Sequence, residues 1–133
     1  MLRPIALSLL AAAALTACNE QPQQKRTPIK VTGPEQQGLH KLDAINLAIA
    51  LKRAIYGAGY TCKTITDAGF VTAYQNLDMW TAHCKYDRGA ERDWAIFAGP
   101  DGSAQVRDCK DVAAGGLPAC NITKRPPGDF NKL

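Results

Sequence analysis

The chain has 133 residues, a formal charge of +4 and 46% hydrophobic against 21% charged residues. That length suits one small domain with a short appendage. The bases are scattered, gathering only at Lys25-Arg26 and Lys124-Arg125, which excludes a basic stripe for nucleic acid. Each pair could touch anionic lipid, but both are read as solvated linker.

Arg3 precedes an apolar segment from Ile5 to Leu15 that ends in Ala11-Ala12-Ala13-Ala14 and Leu15-Thr16-Ala17-Cys18. A basic start, a short apolar run and small residues at its close make the layout of a signal peptide. The run falls short of the roughly 20 residues that a membrane-spanning helix needs. Leu15-Thr16-Ala17-Cys18 resembles the lipobox of bacterial lipoproteins. The resemblance implies cleavage before Cys18, diacylation of its sulfur (palmitate among the usual chains) and acylation of the new amino terminus. An ordinary secretory signal with a chance cysteine is the plainer alternative. In lipoproteins an Asp after the cysteine commonly marks retention at the inner membrane. Asn19 therefore implies the outer membrane, facing the periplasm, in a cell that has two membranes.

The cysteine count agrees with that address. There are five, an odd number that leaves one thiol over in a secreted protein. With Cys18 lipidated, Cys62, Cys84, Cys109 and Cys120 remain, and an even set in an oxidising compartment reads as two disulfides. Counting alone leaves three connectivities open.

Residues 18–37, rich in Gln, Pro and charge, read as a flexible tether spanning roughly 25 Å. A helix is predicted over Leu39 to Tyr56, with Asp43 near its first turn, Lys52 and Arg53 in its last, and Gly57-Ala58-Gly59 ending it. At 100° per residue Ala44, Leu47, Ala48, Leu51, Ala54 and Ile55 form one apolar stripe. Leu42, Ile45, Ile49 and Tyr56 form a second, which needs a cover from the chain's own tail, ordinary core or a partner.

From Tyr60 the pattern changes to strands. Tyr60 to Thr66 and Phe70 to Tyr74 are two short strands, or one with a bulge at Gly69. Met79 to Tyr86 follows, with Trp80, Ala82, Cys84 and Tyr86 on one face. Arg92 to Ala98 comes next, and Gly99-Pro100-Asp101-Gly102 is a hairpin turn. Ser103 to Cys109 returns. Pairing Gly99 with Gly102 sets Phe97 opposite Ala104 and Ala95 opposite Val106. Trp94, Ile96, Arg107 and Cys109 then share the other face, and pairing Tyr86 with Arg92 brings Trp80 and Cys84 onto it as the core. The favoured disulfides follow: Cys62 with Cys84, tying the segment after the helix to a central strand, and Cys109 with Cys120, clipping back the irregular segment beyond the last strand. Each stabilises by about 2–4 kcal/mol.

The expected architecture is α+β: one N-terminal helix packed on a meander of roughly three to five antiparallel strands, stapled by two disulfides. The divisions are a signal peptide at 1–17, a tether at 18–37, a domain at 38–123 and a disordered tail at 124–133.

Chemistry is sparse. The cysteines lack zinc-ligand spacing, strand parity sends His83 away from Cys84, and no Cys-x-x-Cys is present. The two histidines have no serine, cysteine or carboxylate pair placed for catalysis, and the acids sit in turns. No cofactor, metal or catalytic residue is expected. Phe97 and Val106 on the second sheet face, Ile45 and Ile49 on the helix, and Arg88 in the charged loop Tyr86 to Arg92 are the candidate partner surface. Ala44 to Tyr56, Trp94-Ala95-Ile96 and Asp101-Gly102-Ser103 resemble PepSY-type domains. That resemblance implies an envelope module with a helix on a twisted antiparallel sheet, which inhibits or regulates a partner protein. The expected role is binding, assembly or regulation in the envelope. The rival is an inhibitor of an envelope hydrolase, like the small lipoproteins that block lysozymes. A divergent enzyme is the third reading.

Overall fold

The computed structural model describes residues 31–132, so the signal segment, Cys18 and most of the expected tether lie outside the described residues. The elements run α1 (Pro34–Leu39), α2 (Ala44–Gly57), β1 (Thr64–Tyr74), β2 (Leu77–Lys85), β3 (Glu91–Ala98), β4 (Ala104–Asp108) and α3 (Cys109–Ala114). Single 3-10 turns cover Asp87–Gly89 and Phe130–Lys132. The fold is α+β, a four-stranded antiparallel sheet in the order β1-β2-β3-β4 with helices against it.

The helix expected from Leu39 starts at Ala44 instead, and Leu39 is the last residue of a separate short helix, α1. The Asp43 carboxylate accepts from the Asn46 backbone N–H at 2.8 Å, which caps α2 at Ala44 and separates it from α1. Residues 34–37, assigned to the tether, are helical instead. Pro34 opens α1, and Gln36 accepts from Gly33 N–H at 3.0 Å while its amide donates to Asn76 O and Ala98 O, both at 2.9 Å. A buried glutamine satisfies three backbone groups here, so the polar composition that reads as tether is packing chemistry at this point.

β1 is one strand with bulges between Ile65 and Asp67 and between Phe70 and Thr72, rather than at Gly69. The bulges keep Ile65, Ala68 and Phe70 turned toward α2 while Val71 faces the other way. Gly69 has a different task. A Cβ there would stand 2.5 Å from the Ile122 side chain and 2.6 Å from Lys124 O, where the C-terminal segment crosses β1.

The two later registers differ from the expected ones. β2 and β3 pair Trp80 with Ile96 and Ala82 with Trp94, two residues from the Tyr86–Arg92 pairing, so the expected faces are kept. At the second hairpin the closing pair is Gly99 and Ser103, with Gly99 N–H bonded to Ser103 O at 2.8 Å. Gly102 adopts φ +80° and the Asp101 carboxylate accepts from Ser103 N–H at 3.1 Å and Oγ–H at 2.6 Å. The loop thus holds three residues, and a slip of one inverts a strand's faces. Val106 sits opposite Ile96 inside the α2 core, and Arg107 turns to the other side.

Both faces of the sheet are covered, although one core face was expected. Leu47, Leu51 and Ile55 of α2 pack with Trp80, Ala82, Cys84, Trp94, Ile96 and Val106. On the other face Val71, Met79, Ala95 and Phe97 pack under Val112 of α3, Leu117, Cys109 and Cys120. Cys62–Cys84 and Cys109–Cys120 are both bonded, the first inside the α2 core and the second over the α3 layer. β4 ends at Asp108 because that carboxylate caps α3 from Lys110 N–H at 2.9 Å.

The segment read as a disordered tail is docked. Phe70 N–H bonds to Lys124 O at 2.8 Å, Ala44 N–H bonds to Pro127 O at 2.8 Å, Arg125 grips Asp67 with two nitrogens, and Phe130 is buried. One aromatic near the chain end, with Pro126-Pro127 ahead of it, anchors a stretch of otherwise polar composition.

Candidate functional site

The two edges of the sheet differ. The outer side of β1 is partly closed by the C-terminal segment, through the Phe70–Lys124 bridge and Thr123 Oγ–H donated to Val71 O at 2.8 Å. β4 carries no further strand among the described residues. All five of its residues line one groove of about 550 Å³, together with Ala58, Tyr60, Arg92 and Trp94. Successive side chains on a strand point to opposite faces, so a groove touched by every residue of β4 runs along its edge.

Tyr60, Arg92 and Trp94 also line a second groove of about 490 Å³, together with Thr61, Tyr86 and Glu91. The place of Tyr60 follows from the end of α2. Tyr60 N–H bonds back to Ile55 O at 3.1 Å, and the Cys62–Cys84 bridge holds the next residues to β2. The Tyr60 ring then lies on Trp94 with centroids 4.5 Å apart, and it stays 42% exposed. Beneath it Trp94 Nε1–H donates to Tyr86 OH at 3.1 Å, and Tyr86 O–H donates to Thr61 O at 2.5 Å. The Arg92 guanidinium stands 5.3 Å from the Trp94 ring centroid and 3.5 Å from the Asp108 carboxylate. An exposed aromatic ring fixed from below, flanked by planar cations, suits a ligand that offers both apolar surface and hydrogen-bond acceptors.

Two histidine–carboxylate pairs lie elsewhere. His40 Nε2 meets the Asp78 carboxylate at 2.9 Å, with its ring 4.7 Å from Phe70 and 4.9 Å from Trp80. Asp78 is buried, so this pair pins the α1–α2 link to β2. His83 pairs with Asp93 across β2 and β3 and lies 3.5 Å from Glu91, which also meets Lys85 at 3.4 Å. No group of three potential metal ligands occurs among the described residues.

Two shifts in titration have clear causes. The Ser103 hydroxyl and then its backbone N–H hold the Asp101 carboxyl below the ordinary value. Hydrogen bonding to Asp67 and its charge raise Arg125. Both groups are exposed and act locally.

Of the residues expected to form a partner surface, Phe97 and Val106 are buried, Phe97 under α3 and against Tyr74, Val106 in the α2 core. The one-residue hairpin shift moves Val106 inward, and α3 hides the face that carries Phe97. Ile45 is half-buried, Ile49 is exposed, and Arg88 is exposed at a loop tip with φ +61°. The sequence pattern starts a strand at Tyr60, whereas β1 starts at Thr64. The Gly57-Ala58-Gly59 stretch before Tyr60 signalled that the chain leaves the helix there, but not that the ring would lie on Trp94.

What the geometry defines is a small disulfide-stapled α+β domain whose β4 edge is unpaired among the described residues. Comparison with family models, curated proteins and solved structures gives no significant match.

Proposed function

We propose that the chain is a lipid-anchored protein of the cell envelope that faces the periplasm and acts by binding. The observation that carries the anchor is the set of cysteines. Cys62 with Cys84 and Cys109 with Cys120 use each other as partners, so Cys18 stands outside both bridges at the end of Leu15-Thr16-Ala17-Cys18. Asn19 favours the outer membrane. In this reading α2, the longer of the two helices ahead of the sheet, is the helix of the expected architecture, and the helix-then-meander order accords with the PepSY-like likeness.

The binding element is the open edge of β4. An extended segment of a partner adds there as a fifth strand through main-chain hydrogen bonds, and Tyr60, Arg92 and Arg107 meet its side chains. The second reading is inhibition of an envelope hydrolase. It is favoured by the loop at Asp87–Gly89, where Arg88 protrudes on a tight backbone.

In cells, Cys18→Ser is expected to abolish lipid labelling and release the domain from the membrane fraction, and unchanged fractionation would refute the anchor. For binding, Val106→Pro removes a β4 backbone donor and Arg88→Ala removes the loop tip, with partners captured by crosslinking in intact cells. A partner lost with Val106→Pro but kept with Val106→Ala supports edge pairing. A partner lost only with Arg88→Ala supports the inhibitor reading.

A further inference from the structure

Among the described residues, part of the outer face of α2 is left uncovered. Viewed down the helix at 100° per residue, Ile45, Ile49 and Tyr56 form a strip that faces away from the buried Leu47 and Leu51 and begins, at half-buried Ile45, beside the buried Ala48. Ile49 is 41% and Tyr56 52% exposed. Lys52 flanks this strip on one side and Arg53 on the other. No acidic residue occurs between Asp43 and Asp67, and Asp43 is engaged in capping the helix. Arg53 and the preceding Lys41 enter no ion pair among the described residues.

An apolar strip bordered by cations, on a face free of acids, is complementary to the headgroup boundary of an anionic bilayer. The same charges oppose a second copy, because a two-fold pairing brings together two helix faces that both carry cations and no acid of α2. We propose that α2 rests its outer face on the anionic membrane to which the chain is tethered. This rests on the tether reading. A lipid on Cys18 would confine the domain near the bilayer, where even a weak surface contact is occupied. The contact then fixes which side of the domain, and so which sheet edge, is presented away from the lipid.

The test reconstitutes the full lipidated chain with vesicles of phosphatidylcholine alone or with one quarter phosphatidylglycerol. Flotation is scored first. Hydroxyl-radical footprinting then reads Ile49 and Tyr56 against Tyr74 and Leu117, which lie in the α3 layer. Modification of Ile49 and Tyr56 is expected to fall at least threefold on the anionic vesicles, with the controls unchanged. Lys52→Glu with Arg53→Glu, checked for native circular dichroism, is expected to restore it. A chain that floats yet leaves both residues fully reactive overturns the proposal alone. Equal protection on both vesicles, or protection in concentrated protein without vesicles, overturns it in favour of uncharged contact or self-association. A chain that does not float refutes the tether reading and this proposal with it.

Discussion

The two disulfides are not equivalent, and their removal separates chain-entropy from packing effects. Cys62 and Cys84 are fully buried in the α2 core, and their bridge spans a sequence separation of 22. Loop-closure entropy for a ring of that size amounts to about 3.4 kcal/mol at 25 °C. Replacing both by alanine also deletes two buried sulfurs, on the order of 1 kcal/mol each. The Cys62→Ala/Cys84→Ala protein is therefore expected to lose about 5 kcal/mol, comparable with the entire stability of a small domain. Cys109–Cys120 has a separation of 11 and half-buried cysteines, which gives about 3 kcal/mol. Urea unfolding of both double variants, with the slope fitted separately, measures the two losses. A Cys109→Ala/Cys120→Ala protein as unstable as its Cys62→Ala/Cys84→Ala counterpart would refute the assignment of Cys62–Cys84 to the core.

Three further outcomes follow from single contacts. Gln36→Ala leaves Gly33 N–H, Asn76 O and Ala98 O without their partner and is expected to cost about 2–3 kcal/mol, whereas exposed Gln37→Ala changes the urea midpoint little. Phe130→Ala is expected to lower stability by roughly 3 kcal/mol, because the ring closes the core beside α2. A variant as stable as the wild type would mean that the C-terminal segment contributes nothing. Asp101 has a lowered carboxyl pKa when folded, so its stabilising effect is complete above the ordinary aspartate value and is lost as pH falls through the lowered one. The difference in melting temperature between wild type and Asp101→Ala is therefore expected at neutral pH and should close in strong acid. A gap that widens on acidification would contradict the sign.

Local patterns carry a good part of this protein. The 3.6-residue apolar period of Leu47, Leu51 and Ile55, the alternation through Trp80, Ala82 and Cys84, the Pro-Asp-Gly turn and the pairing of four cysteines are each written within a short stretch, and the structure follows them. Composition misleads where polar stretches pack. Residues 34–37 and 124–130 look like linker, yet Gln36 is buried for its amide and Phe130 for its ring.

What only the tertiary structure decides is which surfaces remain free. A single residue in the length of the Gly99–Ser103 turn puts Val106 in the core instead of on the surface. Whether Phe97 is exposed depends on α3 folding back, which no periodicity around Phe97 reveals. Tyr60 becomes the centre of a groove because a helix end, a disulfide and Trp94, from three separate parts of the chain, meet beneath it. Sequence by itself determines elements through near-neighbour forces. The unpaired β4 edge and the exposed helix face depend, among the described residues, on packing that no local stretch contains.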